Sequence, residues 1–425
     1  MRVPASLGPV RGRFLCPHPT EPRFSVLDDG LLVVAPDGRI ASLDAAPVGC
    51  AVPETRPGAV WLPGFVDTHI HYPQTRVLGS ATGPLLDWLA TTVFPEEARF
   101  REAAHAAAVA EDFCAALVAQ GTTCASVYSS SDPGATEILF SALDRHGLRG
   151  QAGLTLMDRG APPELLSAAG PALEACERLA ERWHGHDDGR LAFCVTPRFA
   201  LSCSAALLRG AAELAERRGL PVQTHLSENL AELAATATAF PQSVDYLGVY
   251  ADHGLAGPRS IFAHCIHLST GEWDRMAALD CAVSHCPDSN FFLGSGLMPL
   301  RAPLERGLRV GLGTDMGAGR TFSMRRIVAG AYDAALLTGS ATTAEALLWR
   351  ATRGGALALG VGARVGCLAP GFDADVVAID LPPRARAARS EVFDALAFRR
   401  DHGAVAAVAV RGRLLRALDD QRPAR

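Results

Sequence analysis

Along the middle of the chain, short apolar runs alternate with longer stretches in which apolar residues recur every three or four positions. The runs are AVWLPGFVDTH (59–69), GTTCASVYS (121–129), RGQAGLTLM (149–157), RLAFCVTPRF (190–199), LPVQTHLSE (220–228), RSIFAHC (259–265), CAVSHCP (281–287) and RVGLGTD (309–315). Each has the length of a strand and is apolar on both faces, as in a parallel sheet covered by helices. Between them lie alanine-rich amphipathic stretches such as FREAAHAAAVAEDFCAALVAQG (100–121) and SAALLRGAAELAERRG (204–219), the second stopped by a glycine. Eight strands alternating with helices predict an α/β fold, a (β/α)8 TIM-like barrel.

The two ends follow another pattern. FSVLDDGLLVVAPDGRIASL (24–43) holds two Asp-Gly pairs, each a hairpin signal. GCLAPGFDADVVAIDL (366–381) and GAVAAVAVRGRLLRAL (403–418) repeat the style. The expected organisation is a small β-sandwich built from residues 1–60 and 366–425, enclosing a barrel of residues 61–365.

Barrel enzymes carry their chemistry at the C-terminal ends of the strands, and the unusual residues of this chain fall there. Strand one ends in His69 and His71, strand four in Arg198 and Phe199, strand five in His225 followed by Glu228. Strand six ends in His264, strand seven in His285 and strand eight in Asp315. Side chains alternate along a strand, so His69 and His71 share a face that Ile70 does not. Histidine supplies only 13 of 425 residues, so five at strand ends point to a metal site. His69, His71, His225 and Asp315 offer three nitrogens and one oxygen, a set suited to one Zn²⁺, with Fe²⁺ also possible. Such a metal brings a coordinated water toward neutral pKa. Glu228 lies beside this set and is read as an acid/base, Asp315 as ligand and proton acceptor. His264 is read as orienting the water, with direct ligation left open. His184 and His186 in WHGHDD (183–188) are read as a solvated loop at the opposite face, His267 as a surface or capping residue, and Cys281 and Cys286 as core.

Composition narrows the picture. A net charge of −5 offers no basic surface for nucleic acid or anionic lipid. There is no lysine, which removes Schiff-base, P-loop and carbamylated-lysine chemistry together. Eleven cysteines without a C-x-x-C pair argue for a reducing compartment. Neither a signal peptide nor a membrane span is legible, so a cytoplasmic protein is expected.

These motifs resemble the amidohydrolase superfamily. PGFVDTHIHYPQ, LLDWLATTVFPEE, VTPRFALSCS, QTHLSEN, FAHCIHLS, SHCPDSNFFLGSG and GLGTDMGAG are similar to its guanine deaminase branch, over roughly residues 60–330. The resemblance implies a mononuclear zinc enzyme, a homodimer, that hydrolyses a small purine, guanine, to xanthine and ammonia. It implies Gln74 and Arg198 as hydrogen-bonding partners of the purine and Phe199 as its packing surface, with His71, His225, Glu228 and Asp315 also around it. Arg198 could equally be a structural salt-bridge partner. Water would attack C2 while Glu228 protonates N3 and then the departing amine. Two departures stand out: Met316 after the strand-eight aspartate, and a short segment between Asp380 and Gly403. The competing expectations are a related deaminase acting on 8-oxoguanine, a triazine or another amino-heterocycle, and a non-catalytic barrel that kept only the scaffold.

Overall fold

The structure, a computed structural model, describes residues 6–80, 83–382, 389–399 and 404–416. Eight short parallel strands run in chain order: Phe65–His71, Thr122–Tyr128, Arg149–Gly153, Leu191–Phe193, Val222–Leu226, Ser260–His264, Ala282–His285 and Arg309–Leu312. The first four form one parallel sheet and the last four another. Val195 bridges to Val222 between the fourth and fifth strands. Between the eighth and the first, Asp315 N–H donates to the His69 carbonyl at 2.8 Å. A helix follows every strand; Ala103–Ala119, Pro133–His146, Ala169–Trp183 and Ala205–Arg218 cover the first half. The strands are buried on both faces, which is why they read as continuous apolar runs. Helix Ala205–Arg218 shows the local logic: Ser204 accepts the Leu207 N–H at its start, and Gly219 at φ 65° ends it.

The termini build one continuous seven-stranded sheet. Its order from edge to edge is Arg413–Arg416, Val405–Val410, Val376–Asp380, Ala59–Pro63, Val10–Pro17, Phe24–Val34 and Ile40–Ala45. Two sequence expectations change here. The run AVWLPGFVDTH is two strands: Ala59–Pro63 pairs in the terminal sheet, and after Gly64 the chain enters the barrel as Phe65–His71. A side chain at Gly64 would come within 2.1 Å of Thr123 Oγ1, so only glycine passes there. The pair Asp37-Gly38 does turn a hairpin, with Gly38 at φ 85°, but Asp29-Gly30 lies inside strand Phe24–Val34. Gly30 serves packing instead: a Cβ would meet Phe14 at 2.7 Å. The short segment between Asp380 and Gly403 falls partly outside the described residues.

At the barrel's N-terminal face an ion cluster ties the two sheets together. Arg149, at the start of its barrel strand, pairs with Asp373 and with Asp375 at 2.8 Å, all three buried. WHGHDD belongs to the same region: Asp187 binds Arg190 and Arg411, and Asp188 binds Arg364. His186 faces Asp144 at 3.3 Å, and neither His184 nor His186 belongs to the metal-type cluster found among the described residues. Arg149→Met leaves buried Asp375 without its cation and leaves Asp373 to Arg364 at 3.1 Å, and is expected to destabilise the fold by about 3 kcal/mol. Urea unfolding followed by circular dichroism checks this; an unchanged midpoint would show the cluster to be idle.

Candidate functional site

Strand alternation delivers the metal-type ligands as expected. The Nε2 atoms of His69 and His71 lie 3.2 Å apart, as do those of His71 and His225. Asp315 Oδ1 is 3.2 Å from both His69 Nε2 and His71 Nε2. The four ligand atoms lie within 4.8 Å of one another. Neighbouring donors 3.2 Å apart suit atoms that would each stand about 2 Å from one shared ion. Three imidazole nitrogens and one carboxylate oxygen converging this closely make a donor set that fits a divalent metal, whose charge would take the place of the hydrogen bonds that His69 and His71 make to Asp315. His225 Nδ1–H donates to the Arg198 carbonyl at 2.6 Å, which leaves its Nε2 lone pair for the ligand role.

Electrostatics prepares the same charge state. Burial pulls His69 down to about 4 and His225 well below the ordinary histidine value, so both are neutral at pH 7. Burial would raise Asp315, but hydrogen bonds from His69 and His71 hold it well below the usual carboxylate range. The result is two neutral imidazoles, His69 and His225, beside one anionic oxygen.

Backbone strain marks the positions where strands hand over to the site. Ser227, His264, Cys265 and Asp315 all have positive φ, from 46° to 69°. Non-glycine residues hold that conformation only where the surroundings enforce it. Part of the enforcement comes from Asp67, one turn of the pleat before His69. Its carboxylate accepts from Thr314 N–H at 3.0 Å, Thr314 Oγ1 at 2.5 Å and His69 N–H at 3.2 Å. Burial still pushes Asp67 up to about 7.

Glu228 sits off the cluster. Glu232 Oε2 accepts its backbone N–H at 3.0 Å and caps the following helix, and Ser295 Oγ donates to Glu228 Oε1 at 3.1 Å. Burial raises the Glu228 carboxyl to about 7, opposed by His264 and helped by Asp315. His264 Nε2 lies 3.5 Å from Glu228 Oε2 and 3.8 Å from Asp315 Oδ2, outside the four-atom group. Its Nδ1–H donates to Asn290 Oδ1 at 2.9 Å, turning Nε2 toward the two carboxylates. Burial disfavours the charged ring, but Glu228 and Asp315 outweigh it and the pKa rises. His285, the remaining strand-end histidine, is buried apart from the cluster and pulled down to about 3 by that burial. His267 is half-buried and bonds the Ser295 carbonyl at 2.8 Å.

These groups open into a pocket with about 390 Å³ of space between its walls, part of it open to solvent. Gln74, Arg198 and Phe199 line it together with His71, His225, Glu228 and Asp315. Leu85, Trp88, Leu89 and Ala318 supply the apolar wall. Arg198 lines the pocket and also makes the foreseen salt bridge, to Glu97 at 2.6 Å. Sequence reasoning missed Glu97, Asn290 and Glu232 as individuals. Glu97 stood in the quoted FPEE, but nothing in that string separates it from Glu96, which turns away to His105 at 2.9 Å.

The amidohydrolase family model matches residues 60–415. A probable guanine deaminase of Deinococcus radiodurans is 42% identical over 375 residues, 85% of this chain and 84% of that one. The solved structure of the E. coli guanine deaminase superposes with a TM-score of 0.90 at 34% identity, covering 96% of this chain and 99% of the other. That of the guanine deaminase from C. acetobutylicum, with guanine bound in the active site, gives 0.87 at 29% identity, over 96% and 99%.

Proposed function

This chain belongs to the amidohydrolase family, and we propose that it hydrolyses guanine to xanthine and ammonia. It is a hydrolase of C–N bonds in cyclic amidines. The observation that carries the guanine reading is the composition of one pocket. A cation-holding cluster and a buried carboxylate occupy one side, and Gln74, Arg198 and Phe199 line the same space.

Zinc suits the three nitrogens and one oxygen of His69, His71, His225 and Asp315. When bound, such a cation supplies a coordinated water of near-neutral pKa. Phe199 packs on the purine face, while Gln74 and Arg198 hydrogen-bond its far edge. Asp315 orients the attacking water, and His264, held by Asn290, donates from Nε2 toward it. Glu228 takes the water's proton as C2 is attacked and passes it to N3. It then carries the second proton to the amine, which leaves as ammonia. A carboxyl poised near neutrality is the right kind of group for both transfers. The apolar wall of Leu85, Trp88 and Leu89 excludes bulk water from the base.

A cytoplasmic location belongs to this reading, supported by eleven free cysteines. Among the described residues no helix is long and apolar enough to cross a membrane. A homodimer also belongs to it, with Leu336 and Leu337 exposed side by side on the surface; sedimentation equilibrium measures it. The deciding experiment is turnover of guanine by zinc-loaded protein, followed by the ultraviolet spectrum and by ammonia release. A fully metallated protein that leaves guanine untouched while deaminating 8-oxoguanine or a triazine would replace this substrate with that one.

A further inference from the structure

The helical segment that walls the pocket carries two adjacent glutamates with opposite fates. Glu96 faces His105 at 2.9 Å and Arg99 at 2.8 Å. Glu97, only 3% exposed, turns between Gln74 and Arg198. Arg198 Nη1 donates to Glu97 Oε2 at 2.6 Å, and Gln74 Nε2 donates to Glu97 Oε1 at 3.3 Å.

A carboxylate can only accept. The end of Gln74 that meets Glu97 is therefore its NH₂, and its Oε1 is left as an acceptor. That oxygen is buried and without a partner among the described residues. The backbone of Gly317 packs against it, where a Cβ would come within 2.1 Å. Arg198 brings only donors, with Nη1 already taken by Glu97. One buried carboxylate thus fixes an acceptor and a set of donors in a definite order on the pocket wall.

We propose that Glu97 is a positioning residue that sets substrate choice at the purine's six-membered ring. The order it imposes matches a lactam edge, an N1–H donor beside a C6 carbonyl acceptor. It mismatches an amidine edge, where N1 is a lone pair and C6 carries an amino group. The inference rests on the guanine reading and deepens it: the substrate class is 2-amino-6-oxopurines, and 2,6-diaminopurines are refused. Refusal follows because the wrong edge sets acceptor against acceptor and donor against donor in a dry site. With an amide at position 97, either end of Gln74 can be accommodated, and the order is no longer enforced.

The test compares kcat/KM for guanine and 2,6-diaminopurine in zinc-loaded wild type, Glu97→Gln, Gln74→Ala and the double variant. Wild type is expected to favour guanine by about 100-fold or more, as polar sites do when an edge is mismatched. Glu97→Gln should cut that ratio at least about tenfold with zinc content unchanged. In the Gln74→Ala background, adding Glu97→Gln should move the ratio by less than about twofold, because the effect passes through the amide.

Competition against wild type needs no variant to fold: 1-methylguanine, which lacks N1–H, should inhibit at least about thirtyfold more weakly than its 7-methyl isomer, which keeps it. A wild type that handles both purines equally overturns the inference. So does Glu97→Gln that lowers both in proportion, the mark of a merely structural residue. A metallated wild type that turns over neither purine overturns the guanine reading, a different and separately visible outcome.

Discussion

Glu228→Gln lowers kcat on guanine by about 10³–10⁴-fold while zinc stays at one equivalent per chain; that is the expected result of removing a two-step proton carrier. The substitution is nearly isosteric, and an amide still accepts from Ser295 Oγ, which donates at 3.1 Å in the native site. It cannot take a proton from water or release one to N3. Because the four-atom metal group does not include Glu228, metal binding survives, and KM changes little. The acid side of the pH profile supplies an independent reading. Burial raises the Glu228 carboxyl to about 7, and a bound cation nearby pulls it down from there. Activity that needs the ionised form therefore falls as pH drops through a value at or below 7. That limb should vanish from the residual activity of the variant. Retention of more than a tenth of wild-type turnover, with the acid limb intact, would assign the proton transfer elsewhere.

His225→Ala is expected to empty the metal site and abolish activity together. The native ring bridges two tasks, with Nδ1–H on the Arg198 carbonyl at 2.6 Å and Nε2 facing His71 Nε2 at 3.2 Å. Its loss removes one of four ligands and loosens the strand that carries Arg198. Metal measured by atomic emission should fall from one equivalent to below about 0.1, and chelation of wild type should reproduce the inactivity reversibly. Chelation should also lower the melting temperature, because a ligand bound only by the folded state stabilises it by mass action.

The pH sign follows from the same burial. His69, pulled down to about 4, has a folded pKa below its ordinary value. Its neutral form is built into the fold, so the stability it contributes is full above the ordinary histidine value and is lost as pH falls through 6.5 toward 4. Metal should accordingly stay bound at pH 6 and leave at more acid pH. Metal released already at pH 6.5 would mean that burial does not hold the ligands neutral.

Much of this protein was legible in one dimension because two physical rules have short range. Side-chain alternation on a strand sends His69 and His71 to one face regardless of what surrounds them. A parallel strand buried on both faces must be apolar for its whole length, so eight such runs announced the barrel, and the polar residues ending them marked its chemical rim. His225 and Asp315 were readable for the same reason, and Glu228 by its offset from His225.

What lay beyond reach depends on pairs distant in sequence. Gln74, Glu97 and Arg198 meet across 101 residues, and no local pattern distinguishes Glu97 from Glu96. Asn290 reaches His264 over 26 residues, and Asp67 reaches Thr314 over 247. The Asp29-Gly30 pair misled because a glycine that makes room for Phe14 looks identical to one that turns a hairpin. The sequence alone determined at which strand ends His69, His71, His225, His264 and Asp315 stand. Only the tertiary structure decided which buried donor meets which acceptor, since hydrogen-bond order and desolvation are set by neighbours that the chain brings together only when it folds.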